Sequence, residues 1–136
     1  MILDNKVLAL FYKLLNVSSI TGLINGKLFI GEKPIERDLE DIVIGVLLSK
    51  PEFNGELQVG TVNINCFTKA INNHTRNAAR LNEITDAVIT VLNLTYNNGN
   101  SGALHYQLES QKTFRDYDDP SMFYSNIKLK FSHKNN

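Results

Sequence analysis

A single cysteine, Cys66, is all that this chain of 136 residues holds. With no second thiol there is no internal disulfide, so the fold does not rely on an oxidising compartment. Excess charge of either sign is also missing, because 14 Lys and Arg balance 14 Asp and Glu. Binding nucleic acid without regard to sequence, or an anionic membrane surface, draws on a basic excess that this composition does not supply. Long apolar runs are lacking too, and none approaches the roughly 18 to 20 residues of a membrane-spanning helix. The opening segment MILDNKVLALFYKLL has no basic residue ahead of its apolar part, and Asp4, Lys6 and Lys13 interrupt it. It therefore reads as an amphipathic helix and not as a secretory leader. On that reading the sequons at Asn16, Asn73 and Asn93 reflect an Asn-rich composition and not glycosylation.

The residue patterns of catalysis and metal binding are equally sparse. Cys66 has His74 nearby in sequence, as a nucleophile and its base would. In GTVNINCFTKA, however, Cys66 shares its even positions with Val62 and Ile64, which turns the thiol towards the core. A thiol in apolar surroundings is inert and packs as a small hydrophobe. His74, His105 and His133 fall on different segments at no metal-ligand spacing. Asp116, Asp118 and Asp119 look like half of a calcium loop, but the Gly and distal Glu of an EF-hand are absent and Pro120 marks a turn. GNSG at 99–102 has no following Lys-Ser/Thr pair to make it a phosphate cradle. No Gly-x-Ser-x-Gly nucleophile elbow occurs. The expectation is a protein without catalytic residues, without a bound metal and without a cofactor.

What the chain does contain is the material of one domain spanning 1–136. It is 43% hydrophobic and 21% charged, ordinary values for a packed protein. Leu3, Val7, Leu10, Phe11, Leu14 and Leu15 recur at helical spacing, with Asp4 placed favourably for the helix dipole. KLFIG is a short strand, and Glu32 to Asp38 a loop. DIVIGVLLS is a short apolar run rich in β-branched residues, which predicts a strand buried on both faces, with a turn over Pro51 to Gly55. ELQVGTVNINCF alternates, but its phase slips between Val59 and Val62, so a bulge is expected at Gly60-Thr61. A second helix is predicted over Thr75 to Asn93, with Leu81, Ile84, Ala87, Val88, Val91 and Leu92 on one side. Asn97 to Gly102 reads as a flexible loop, mobile in the free subunit and ordered on contact with a neighbour. Two alternating strands follow, ALHYQLESQKTF and MFYSNIKLKFS, and then a polar tail from His133 to Asn136. The fold class is α+β: a mainly antiparallel sheet with two helices packed on one face.

The order of these segments resembles the tail-completion, or tail-terminator, family of long-tailed bacteriophages and prophages, to which the lambda tail terminator belongs. In that family a Gly-containing turn precedes a short strand and a Pro, matched here by Gly26, Leu28, Ile30 and Pro34. A strand of the form V-x-I-x-C/V-aromatic then runs into a polar link and a helix, matched by Val62, Ile64, Cys66 and Phe67. The likeness covers most of the chain. It departs at the Asn/Gly stretch 97–102 and along Gln107 to Arg115.

The resemblance implies a virion structural protein of the neck or tail, found in host cytoplasm during assembly. It implies self-association into a ring, usually a hexamer, that caps the tail tube protein and presents a surface to the head connector or stopper protein. The action is stoichiometric, with neither specific nucleic acid nor a membrane as partner. Candidate interface residues are Asn97, Asn98 and Asn100 in the loop and Phe123 and Tyr124 in the Met122-Phe123-Tyr124 cluster. Alternatives are a head–tail joining protein of the same neck region, a small non-virion binding module, or a hydrolase drawing its acids from Asp116, Asp118 and Asp119.

Overall fold

The structure, a computed structural model, describes residues 4–94 and 98–134. Its elements in chain order are helix α1 (Asp4–Leu15), the short helix α2 (Ser18–Thr21), β1 (Leu28–Ile30), β2 (Ile42–Glu52) and β3 (Leu57–Lys69). Helix α3 (Ala78–Val91), β4 (Asn98–Ser101), β5 (Leu104–Arg115) and β6 (Met122–Lys134) complete it. The six strands form one sheet in the order β1-β2-β3-β6-β5-β4. Only the β1–β2 pairing is parallel, and the others are antiparallel. The α+β, mainly antiparallel expectation holds, with a third, one-turn helix added.

Alternation along the two central strands sets the layers. Val62, Ile64 and Cys66 of β3 lie opposite Leu129, Ile127 and Ser125 of β6. These residues are fully buried, and the apolar ones join Ile42 and Ile44 of β2 in the main core. The same core takes Val7, Leu8, Phe11 and Leu15 from α1 and Ile84, Val88 and Leu92 from the α3 region. Residues facing the other way, Val43, Phe67 and Met122 with Phe29 and Tyr124, form a separate small cluster that contains no helix residue. The sheet thus has a helix-covered face and a helix-free face, called open below, whose β1 end lies under Lys33 and Arg37 of the loop after β1.

Local chemistry sets the helix ends. The Asn77 side chain accepts the Arg80 backbone N–H at 3.2 Å, capping α3. After α3, Asn93 takes a left-handed conformation (φ 58°) and the Leu94 N–H reaches back to the Ile89 carbonyl, closing the last turn. The helix is shorter at both ends than the stretch Thr75 to Asn93 because these caps define it.

A charged knot fixes the connection into β2. The Asp41 carboxylate is fully buried and accepts from Arg37 Nε and Nη2 and from the Lys27 N–H, each at 2.9 Å. Glu40 and Asn25 exchange side chain–backbone hydrogen bonds at 2.7 and 3.0 Å. Arg80 of α3 grips Glu40 through Nε at 2.6 Å and Nη2 at 2.7 Å, and also donates to the Leu23 carbonyl. A Cβ on Gly26 would stand 2.3 Å from the Asp41 carboxylate, so this crossing admits only glycine.

The expected bulge lies one strand away from Gly60-Thr61. β3 pairs with β6 without interruption through those residues. The register slips instead in β2, between Val46 and Leu48, where Leu47 is the extra residue. Gly60 receives the slip: a Cβ there would lie 1.9 Å from the Leu48 carbonyl oxygen and 2.7 Å from the Phe131 ring. A second slip, between Leu108 and Ser110 of β5, leaves Glu109 as its extra residue. The two bulges flank the same row, Val62 opposite Leu129. Bulges bend and twist the strands that carry them, so both flanking strands turn at one level of the sheet.

Beyond its bulge β2 runs on through Pro51 to Glu52, farther than the strand Asp41 to Ser49 read from sequence. Pro51 pairs with Gln58 of β3, and β1 reaches only as far as Ile44. A proline lacking its N–H fits such an uncovered edge. The turn is Phe53, Asn54 and Gly55, all at positive φ.

Candidate assembly surface

Among the described residues no group of three or more His, Cys, Asp or Glu side chains is placed to hold a metal ion. Cys66 is fully buried on the helix-covered face, and desolvation pushes its thiol up to about 12, so it does not ionise near neutrality. The acidic turn serves itself. Asp116 accepts the Asp118 N–H at 3.1 Å, and Asp119 accepts both the N–H and the hydroxyl of Ser121.

The residues expected to meet a neighbour divide. Phe123 is 7% exposed and packs on Ala70 and Leu81, with the Arg76 and Arg115 guanidinium groups over its ring. That burial leaves it little surface to offer. Its position opposite Thr68 places it on the helix-covered face with Ile127 and Leu129. Tyr124 points the other way and is half-buried. Its ring lies 5.1 Å from Phe67 and 5.5 Å from Phe114, an aromatic row across the open face. Asn98 and Asn100 are not in a loop: they pair with Gln107 and His105 as part of the edge strand β4. Loops with Asn and Gly can still close a hairpin when a partner strand offers its hydrogen bonds, and β5 does so here. Asn97 lies outside the described residues.

Sequence reading missed the exposed apolar groups. Leu47, Leu48 and Phe53 are 60%, 53% and 72% exposed on the β2–β3 hairpin. Ile35 and Tyr117 are almost wholly exposed at loop tips. Phe53 also adopts φ 52°, a conformation uncommon for a bulky side chain. The apolar run VLL suggested burial, but the signal lay in geometry, since the bulge at Leu47 turns both leucines out past the cover of β1. The outer edge of β5 from Leu108 to Arg115 and that of β2 beyond Ile44 carry no further strand among the described residues. Such edges are unfinished hydrogen-bonding surfaces unless managed or paired.

The described residues thus form a six-stranded α+β sheet with one helical layer, open edges and solvent-facing apolar tips. No protein-family model and no curated protein matches the sequence. The fold itself is similar to a solved one, a chain of the virion of a native gene transfer agent particle. That likeness has a TM-score of 0.61 at 13% identity and covers 92% of each chain. At that identity the likeness is one of fold.

Proposed function

We propose that this chain is a structural protein of a phage-like virion, acting by stoichiometric assembly. In this reading it closes into a ring, of six copies, that terminates the tail tube and joins it to the head connector. The observation that carries the reading is the near full-length fold likeness to a virion chain of a gene transfer agent. The surface supports it. Exposed Leu47, Leu48 and Phe53 lie on the β2–β3 hairpin, whereas Phe114 and Tyr117 lie at the far end of β5. Two different patches on one chain suit a head-to-tail contact, which closes into a ring at a fixed rotation. β4, with Asn98 and Asn100, offers the outermost strand edge to such a contact.

The same fold also serves a reading as a head–tail joining protein of the connector or stopper type. Loss of the gene separates the two. A terminator is expected to leave tails of irregular, excessive length without heads, and a joining protein to leave tails of normal length beside filled, tailless heads. Normal infectious particles from a null mutant would contradict both.

A further inference from the structure

Net neutrality excludes a basic excess, but it does not exclude a basic face. On the open face the central strands present Thr61, Asn63 and Asn65 from β3 and Asn126, Lys128 and Lys130 from β6. Every open-face position of these two strands lacks a carboxylate, from Leu57 to Lys69 and from Met122 to Lys134. β5 adds Lys112, beside Asn126, and Gln107, beside Lys130. The acids are elsewhere: Asp4 on α1, Glu83 and Asp86 on α3, Asp116, Asp118 and Asp119 in a turn. Three carboxylates do reach the face, and Asp38, from the loop after β1, pairs with Lys69 at 3.0 Å. Glu52 pairs with Lys50 at 3.2 Å near the hairpin tip, and the bulge residue Glu109 sits between Lys128 and Lys130 at 3.5 and 3.6 Å. Lys112 has no carboxylate partner among the described residues, and Lys130 keeps 60% of its side chain exposed. A shallow depression of about 220 Å³ opens on the same part of the sheet, lined by His105, Gln107, Lys130 and Ser132 with Tyr106 and Phe131.

We propose that this open face binds the phosphate backbone of double-stranded DNA without regard to sequence, through Lys112, Lys128 and Lys130 with the amides of Asn63, Asn65 and Gln107. Lysines and side-chain amides are the groups that contact phosphate and sugar oxygens. Single-stranded nucleic acid would call for exposed aromatic platforms. The face's aromatics, Phe67, Tyr124 and Phe114, pack on one another next to Lys112, and of the three only Phe114 is well exposed, so the face lacks a row of free rings and the duplex is the better fit. Glu109 is a built-in competitor that holds two of the lysines until phosphate displaces it. The biological setting rests on the ring at a head–tail junction, where DNA passes. The binding itself is a property of the single chain.

The experiment is fluorescence anisotropy of a labelled duplex of arbitrary sequence titrated with the purified chain at several salt concentrations. With three phosphates neutralised, affinity should fall about fortyfold between roughly 50 and 200 mM salt. Lys130→Gln should weaken binding and lower the salt slope by about one. Glu109→Gln should tighten binding, a direction that general damage to the fold does not produce. The triple change of Lys112, Lys128 and Lys130 to Gln should abolish it. No binding at the lowest salt, or a folded triple variant that binds as the parent does, overturns the proposal. So does preferential binding of polyglutamate, which would assign the face to an acidic protein. If the triple variant does not fold, Glu109→Gln alone decides. A ring seen in particles without duplex binding by the chain would discard this inference and leave the ring standing.

Discussion

Replacing Gly60 by alanine is expected to destabilise the domain by about 3 kcal/mol or more, and replacing it by valine to prevent folding. The reason is the bulge in the neighbouring strand. Leu47, the extra residue, carries the Leu48 carbonyl over the Gly60 Cα, and a Cβ would fall 1.9 Å from that oxygen. Relief would need the β2–β3 ladder to open or the Phe131 ring, only 4% exposed, to leave the core. Overpacking costs typically about 1 to 3 kcal/mol, and more when backbone must move. Against a total stability of about 5 to 15 kcal/mol that is a large fraction. Gly55→Ala is the control. Gly55 has φ +85° but nothing within 4 Å of a built Cβ, so it meets backbone strain without a clash. Urea denaturation of both variants checks the claim, and equal midpoints would contradict the crossing of Leu48 over Gly60.

Arg80→Ala carries the second large effect, about 2 to 4 kcal/mol, set somewhat under the roughly 3 to 5 kcal/mol for a fully buried pair because the Arg80 side chain is 26% exposed. Arg80 ties α3 to the β1–β2 connection by two hydrogen bonds to Glu40, whose side chain is 14% exposed, and by one to the Leu23 carbonyl. Its loss strands the Leu23 carbonyl and leaves the Glu40 carboxylate with only the Asn25 N–H. The pH dependence has a definite sign. The Arg80 hydrogen bonds hold the Glu40 carboxyl below its ordinary range, with burial opposing and the Asn25 N–H assisting. A carboxyl depressed in the folded state stabilises above its unfolded pKa, and that stabilisation disappears as pH falls through the folded value. The parent should therefore lose more stability than Arg80→Ala between about pH 5 and pH 3. Parallel acid titrations of the two would show that Glu40 is not held by Arg80. Arg80→Lys should recover only part of the loss, because a lysine cannot span Glu40 and Leu23 with a planar fork.

Both effects arise where the sequence was least readable. The helices were legible because Val7, Phe11 and Leu15, and later Leu81, Ile84 and Val88, repeat at helical spacing. β3 and β6 were legible because Val62, Ile64 and Cys66, and Ile127, Leu129 and Phe131, alternate. The phase slip near Gly60 was visible, but not which strand absorbs it, since a bulge belongs to a pair and the pairing is tertiary. Leu47 and Leu48 were misread as core for the same reason. Asn98 and Asn100 have poor intrinsic strand preference, and β5 overrides it by pairing. Phe123 shares its odd positions with Ile127 and Leu129, and that inward signal outweighs the expectation of a subunit surface. The charged knot joins Asn25, Glu40, Asp41 and Arg80 across distances in sequence that no local pattern encodes.

Imaging intact particles by electron microscopy, at the head–tail junction and with this chain identified in the density, tests the proposed role most directly. The expected result is a closed ring of six copies at the top of the tail, with the β2–β3 hairpin of one copy contacting the next. Particles that lack the chain there, or that carry it without rotational symmetry, would contradict it.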